Sequence, residues 1–329
     1  MINFAIIGTG WIGGIHAQRL QQCAGATLAC VFDVNPEASR VFAERHGCQS
    51  AASLKEACER ADAVIIASST TSHKEVALVC IAAGKPFLME KPVAHDLDSA
   101  IIVRDAAHRA GVVASVGFNR RFDARYTRIR EAVATGQLGR LESLRFTVKT
   151  ATPPSPEFLK SSGGLFGEFG IHFFDLARWI SGEEPVEVFA TGSTLIDQAY
   201  ADIGQIDTGA VIVRMQSGAL FQLDIGWRAT YGHDERLDVF GSKGVLTSGD
   251  PAINLVLADD AISQSCSRTH LPDWFERFDA TYLTELSAFV YALNHGILPS
   301  PSLHDGVVAQ TLVEAAYKSI AINAPIRLA

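Results

Sequence analysis

The chain opens on Ile2-Asn3-Phe4-Ala5-Ile6-Ile7, a short apolar run, and passes directly into Gly8-Thr9-Gly10-Trp11-Ile12-Gly13 before a helical pattern begins. A strand that turns sharply into a helix around a bound nucleotide needs glycine for three separate reasons. These are the tight turn, the close approach of backbone to a diphosphate, and the close packing of helix on strand. The diphosphate then rests on the positive end of the helix. A second apolar run, 27–32, is followed by Asp33, twenty residues past Gly13, where a carboxylate accepts hydrogen bonds from ribose hydroxyls. Val34 and Asn35 come next, in place of Arg or Ser. A carboxylate repels a 2′-phosphate and neither neighbour receives one. The stretch therefore reads as an NAD site rather than an NADP site, formed by Gly8, Gly10, Trp11, Ile12, Gly13, Asp33 and Val34. The competing reading is an ordinary glycine-rich turn with a surface aspartate after it.

Outward from this motif, strand-like runs at 3–7, 27–32, 63–67, 86–89 and 112–116 alternate with helical patterns at 12–23, 37–46, 54–59, 73–83 and 97–110. Such alternation buries both faces of a sheet when the strands run parallel and the helices cross over. The expected fold class is α/β, with an N-terminal doubly wound parallel sheet over residues 1–118. After 118 the pattern changes. A helix at 123–134, a strand at 141–149, the Pro-rich loop Thr152-Pro153-Pro154-Ser155-Pro156 and a helix at 165–180 precede strands at 186–195, 208–215 and 219–226. Gln216-Ser217-Gly218 reads as a hairpin turn between the last two strands. Sequential antiparallel strands beside segregated helices predict a C-terminal α+β domain, 119–329, with a large open, mostly antiparallel sheet. Helices at 278–294 and 305–321 close the chain, and the last is expected to pack back on the first domain.

The length, 329 residues, suits two domains with a substantial core, and 48% hydrophobic against 19% charged residues excludes a disordered chain. With 28 basic and 36 acidic side chains, a formal charge of −8 and no Lys/Arg run, nothing favours a polyphosphate backbone, and nucleic acid is excluded as a partner. An anionic ligand has to be held by local amides. No apolar run reaches the ~18 residues a membrane helix needs, and no basic leader precedes the first strand. Cys23, Cys30, Cys48, Cys58, Cys80 and Cys266 contain no C-x-x-C pair and read as buried free thiols of a reducing, cytoplasmic compartment.

A further site is suggested where the fourth strand ends in Met89-Glu90-Lys91-Pro92, at the carboxyl edge where open α/β sheets bind ligands. Pro92 biases Lys91 toward extended backbone, which presents its side chain to that crevice. In the helix at 165–180, a spacing of about 100° per residue places Glu168, His172, Asp175 and Trp179 on one narrow stripe beside an apolar face. A histidine there is partly desolvated yet able to reach a cleft, or is simply a satisfied structural residue. Glu168, His172 and Asp175 lack the second histidine of a matched metal set, so no metal is expected.

Ala67-Ser68-Ser69-Thr70, His73, Gly84-Lys85-Pro86 and Glu90-Lys91-Pro92 together resemble the glucose-fructose oxidoreductase/inositol dehydrogenase/MocA family. The resemblance extends through Gly117-Phe118-Asn119-Arg120-Arg121-Phe122-Asp123, Ser162-Gly163-Gly164 and Tyr231-Gly232-His233-Asp234-Glu235-Arg236, where the chain is most similar to bacterial inositol 2-dehydrogenases. It implies an NAD-dependent oxidoreductase acting on a secondary ring hydroxyl of a cyclitol or sugar. His172 is then the base, Lys91 and Glu168 its catalytic companions, and Ser68, Thr70, His73, Glu90 and Lys91 cofactor contacts. Lys91, Arg121, Thr150, Glu168, His172, Tyr231 and His233 are the implied substrate contacts. Two positions depart from the family pattern. Glu168 stands where an aspartate is usual, and Lys149-Thr150-Ala151 where Arg-Asp-Pro is common, so a carboxylate is missing from the polyol-reading surface. A cofactor-binding sensor and an NAD-dependent glycosidase are the other functions this fold serves, although a sensor has no use for the Lys91/His172 pair. The open sheet predicts a homo-oligomer, a dimer or tetramer. Gly241-Ser242-Lys243-Gly244 lacks phosphate-loop spacing and reads as a turn between strands.

Overall fold

The computed structural model describes residues 1–159, 162–249 and 273–328. The chain forms two compact units, Met1–Phe122 with Asp279–Gln310, and Asp123–Phe278 with Thr311–Ala329.

In the first unit, strands β1 (Ile2–Ile7), β2 (Ala26–Phe32), β3 (Gln49–Ser50), β4 (Ala63–Ile66), β5 (Phe87–Glu90) and β6 (Ala114–Gly117) form a sheet in the order β3-β2-β1-β4-β5-β6. All its pairings are parallel. Helices α1 (Trp11–Gln22), α2 (Pro36–His46), α3 (Leu54–Arg60), α4 (His73–Ala82) and α5 (Leu97–Ala110) connect the strands. Phe4 to Ile7 and Val64 to Ile66 are at most 2% exposed. Unbroken burial of this kind requires cover on both faces, which is why these strands are continuous apolar runs rather than alternating ones. Local chemistry marks the helix ends. Asn35 caps α2 by accepting from the amides of Glu37 and Ala38, with Pro36 in the first turn, and Asp96 caps α5 through the Ser99 amide. The sixth strand starts two residues later than the apolar run suggests. Gly111 ends α5 in the left-handed region, and the Val112 amide closes back on the Ala107 carbonyl at 3.0 Å, so Val112 belongs to the helix cap.

The second unit carries α6 (Ala124–Ala134), β7 (Leu141–Lys149), α7 (Pro156–Leu159), α8 (Ile171–Ser181), β8 (Pro185–Ser193), α9 (Gln198–Ala201), β9 (Thr208–Met215), β10 (Leu220–Gly226), β11 (Asp234–Gly241) and β12 (Gly244–Ser248). Then follow α10 (Trp274–His295), α11 (Leu303–Ile322) and β13 (Ile326–Arg327). From Asp279 to His295 α10 belongs to the first unit, as does α11 up to Gln310. Leu286, Phe289 and Val290 of α10 join the core around Phe4, Ile6, Leu20, Val31 and Leu88.

The second sheet runs β12-β11-β7-β10-β9-β8-β13. Its β7–β10 pair is parallel and the others are antiparallel. Gln216-Ser217-Gly218 forms the expected β9–β10 hairpin, and Gly241-Ser242-Lys243-Gly244 the turn between β11 and β12. The latter two strands are absent from the coarse sequence pattern. One sheet face is buried under aromatic packing, with the Phe146 ring 5.3 Å from Phe173 and 5.8 Å from Phe221. The other face is exposed and bears cross-strand ion pairs, Arg145–Asp238 at 2.7 Å and Lys149–Asp224 at 2.6 Å.

The helix expected over 165–180 is in fact two segments. Leu165–Gly170 is π-helical, and α8 starts at Ile171. A π turn holds more residues than an α turn, so Glu168 leaves the stripe that a uniform helix assigns it with His172, Asp175 and Trp179. Tyr317 braces the start of this segment: its hydroxyl donates to the Gly163 carbonyl at 3.1 Å and accepts from the Phe166 amide at 3.1 Å. Cys23, Cys30, Cys58 and Cys80 are buried free thiols, whereas Cys48 is only partly buried; Cys266 lies outside the described residues. Among the described residues, no helix is long and apolar enough to cross a membrane.

Candidate active site

The three motif glycines divide the labour as the sequence implies. Gly8 has φ +102°, and a Cβ on it would lie 2.5 Å from the Ala67 carbonyl oxygen. A Cβ on Gly13 would strike the Gly8 carbonyl, which is the close contact between helix and strand, while one on Gly10 would meet no protein atom within 4 Å. The clear space thus lies at Gly10, the glycine the sequence assigns to a diphosphate. Gly10 is the N-cap of α1 with no side-chain cap, and no acidic residue occupies the first turn, so the helix end keeps its positive potential. The loop is braced from across the sheet. Asp33 Oδ2 accepts from the Thr9 amide at 2.9 Å and the Thr9 hydroxyl at 2.8 Å, and Oδ1 accepts from the Asn35 amide at 2.9 Å. Partial burial pushes the Asp33 carboxyl up, but these hydrogen bonds outweigh it and hold the group below the usual carboxylate range. An ionised, partly exposed carboxylate with remaining lone pairs suits ribose hydroxyls. Trp11 and Val34 stay 59% and 90% exposed beside the loop. These residues fit a dinucleotide.

At the ends of β4 and β5, His73 is 1% exposed, its Nδ1 2.8 Å from the Pro92 carbonyl and its Nε2 3.1 Å from the Ser68 carbonyl. Burial depresses its pKa, and the two carbonyls oppose that only in part. His73 thus spends its ring nitrogens on protein, tying the turn after β4 to the turn that presents Lys91. Ser68 shares a hydroxyl contact of 2.8 Å with Ser72, and Thr70 begins the short 3₁₀ turn between them. Glu90 Oε1 lies 2.9 Å from His16 Nε2 on α1. Lys91 is half-buried. Arg121, read from sequence as a substrate contact, is 5% exposed and holds Asp305 at 3.2 Å and the Ser300 hydroxyl at 3.1 Å. Both of these partners belong to the first unit.

In the second unit, His172 and Asp175 on α8 are 7% and 3% exposed, and Glu168 is half-buried in the π turn. Burial pushes the Tyr317 phenol up to about 12, with the Glu168 charge adding to the shift. Thr150 is 6% exposed, and its carbonyl accepts from the Ala229 amide at 2.9 Å. The Tyr231 hydroxyl donates to Asp234 at 2.9 Å. His233 is 4% exposed and packs 6.0 Å from the ring of Phe169, so the 231–235 loop and the start of α8 come together. Phe169 also stacks on Trp227 at 5.4 Å. The sequence reading missed Tyr317, whose role depends on a contact 154 residues away in the chain, and the buried pair Tyr126 and Glu235, linked at 2.6 Å.

A strand, a glycine cradle and a partly exposed carboxylate at the end of the second strand make up a dinucleotide-binding fold, and comparison with known families agrees. Residues 2–118 match the oxidoreductase family with an NAD-binding Rossmann fold, and residues 126–247 match the GFO/IDH/MocA C-terminal domain. The chain belongs to the GFO/IDH/MocA family. It is 37% identical to a myo-inositol 2-dehydrogenase of Thermotoga maritima, covering 99% of this chain and 98% of the relative. It is 34% identical to an inositol 2-dehydrogenase of Rhizobium meliloti, over 100% and 99% of the two chains. Among solved structures, a putative myo-inositol dehydrogenase from Sinorhizobium meliloti 1021 superposes with a TM-score of 0.92 at 33% identity, over the whole of both chains (100% each). The cofactor of this chain is NAD.

Proposed function

We propose that the protein oxidises a secondary ring hydroxyl of a cyclitol, or of a closely related sugar, with NAD as the acceptor. The observation that carries this reading is that Lys91 and a buried His172 stand in a chain similar over its full length to two inositol 2-dehydrogenases. NAD supplies hydride acceptance. His172 takes the hydroxyl proton, since imidazole is the side chain that exchanges protons near neutral pH. The Lys91 ammonium donates to the same oxygen and stabilises its developing negative charge. Glu168 orients these groups. The cradle amides hold the diphosphate, and Asp33 the ribose. Thr150 and Glu168, the two departures from the family pattern, lie at the surface that reads the remaining hydroxyls, so they select among ring stereoisomers.

The exposed sheet face places Phe189 opposite Ile212 on adjacent strands, 37% and 47% exposed, with Leu220 nearby at 38%. This apolar strip supports self-association as a dimer or tetramer, which light scattering measures directly. Free thiols support a reducing, cytoplasmic setting. The function is tested by following NADH formation over the inositol isomers and a set of aldoses, with NADP in parallel. Turnover with at least one inositol isomer and preference for NAD are expected; failure of every polyol to reduce NAD overturns the proposal.

A further inference from the structure

Glu235 lies on the inner face of β11 with Leu237 and Val239 and is 2% exposed. Its Oε1 accepts the Tyr126 hydroxyl at 2.6 Å, and its Oε2 lies 3.1 Å from His233 Nε2. Arg277 supplies positive charge alongside, donating through Nη1 to the Glu235 main-chain carbonyl at 2.8 Å and through Nη2 to the Tyr126 hydroxyl at 3.5 Å. With a phenol donating to one oxygen and a guanidinium nearby, the group is an ionised carboxylate, which can only accept. His233 Nε2 therefore bears the proton. In the neutral ring the other nitrogen, Nδ1, is then an acceptor; it is buried and has no hydrogen-bond partner among the described residues. The His233 ring packs against Phe169 and Phe278, with ring centroids 6.0 and 6.4 Å away, and those rings carry no polar atom. An orphaned acceptor in such surroundings is costly until a donor reaches it. Phe169 leads into the helix that carries His172 on its next turn, so the His233 ring packs beside the segment that leads into the helix bearing the base.

We infer that Glu235 is a positioning residue that locks His233 in the Nε2–H tautomer, and that His233 Nδ1 thereby accepts a hydrogen bond from a ring hydroxyl of the substrate. The inference rests on the polyol reading above and adds a rule to it. At this point of the ring the ligand must donate, so a hydroxyl is accepted and a keto, ether or deoxy centre is not.

The test uses the full chain labelled with ¹⁵N-histidine, with His233 assigned by the signal lost in His233→Gln. At neutral pH the wild type should show a protonated Nε2 and a bare Nδ1. In Glu235→Gln, whose amide offers an N–H to Nε2, the proton should move to Nδ1. The KM for the best polyol should then rise about tenfold, as the loss of one hydrogen bond predicts. The kcat should change less than about twofold and NAD affinity should hold, the pattern of lost uniform binding. Tyr126→Phe, which keeps the carboxylate and removes only its donor, should act in the same direction more weakly, and it serves if Glu235→Gln does not fold. An Nδ1–H tautomer in the wild type overturns the inference, as does a tautomer shift that leaves KM unmoved. The nitrogen signals need no turnover. If no polyol is oxidised, the functional proposal fails and the ligand rule with it, while the tautomer still decides whether Glu235 positions His233.

Discussion

In the first unit, the groups proposed to meet a dinucleotide are backbone amides, glycine hydrogens and one carboxylate, drawn from two adjacent strand ends between Gly8 and Asn35. In the second, the site is built of buried side chains from α6, the π turn, α8, β11 and the start of α10, meeting through contacts such as Tyr126–Glu235 and Phe169–His233. The difference follows from what each region recognises. A diphosphate is the same in every dinucleotide, and main-chain donors hold it without regard to side chain. Ring hydroxyls differ only in direction, so reading them takes placed side chains with fixed donor and acceptor roles, and those are tuned by partners far away in the chain.

The comparison breaks most visibly if chemistry and cofactor binding do not separate. Lys91→Ala and His172→Ala should each lower kcat by about 10²-fold or more. Titration of NADH fluorescence should find cofactor affinity within about threefold of wild type in His172→Ala; near-normal turnover in both variants refutes the assigned roles. Gly13→Ala probes the cradle in the opposite sense. Its methyl would press on the Gly8 carbonyl, an overpacking that costs about 1–3 kcal/mol. Thermal unfolding should move down and NAD affinity should fall by about tenfold or more, with polyol KM at saturating NAD little changed.

Asp33→Asn gives the smallest effect and a pH signature. The folded Asp33 holds its proton less tightly than the unfolded chain does, so its contribution to stability is present above the unfolded pKa of about 4. It is lost as pH falls through the lower folded value. The difference in unfolding midpoint between wild type and Asp33→Asn should therefore be seen at pH 6 and vanish toward pH 2. NAD affinity should weaken severalfold at neutral pH, and the preference against NADP should narrow as the repelling charge is removed. An unchanged cofactor preference would place the ribose elsewhere.

Much of the first unit was legible because its determinants are local. Continuous apolar runs become doubly covered parallel strands and glycines mark the one turn that needs them, while the caps at Asn35 and Asp96, equally local, went unread. Even the late start of β6 follows from Gly111 and Val112. The second unit was legible in class and less so in detail. β11 does alternate, Arg236 and Asp238 outward against Leu237 and Val239 inward, but its charged residues read as a polar stretch until β7 pairs with it. The apolar spacing of 165–180 is the same for an α-helix as for a π turn followed by one.

The sequence by itself determined the nucleotide fold and its NAD cradle, because these rest on residue types at short, fixed spacing, while its resemblance to the family, carried by several motifs along the chain, directed attention to Lys91 and His172. Only the tertiary structure decided that Tyr317 binds the start of the turn carrying Glu168, that Arg121 is paired with Asp305, and that Glu235 faces the His233 ring. Those are pairings of polar groups across more than a hundred residues, or between alternate positions of one strand. Burial in the folded interior makes them obligatory, and no local pattern in the chain encodes which partner is met.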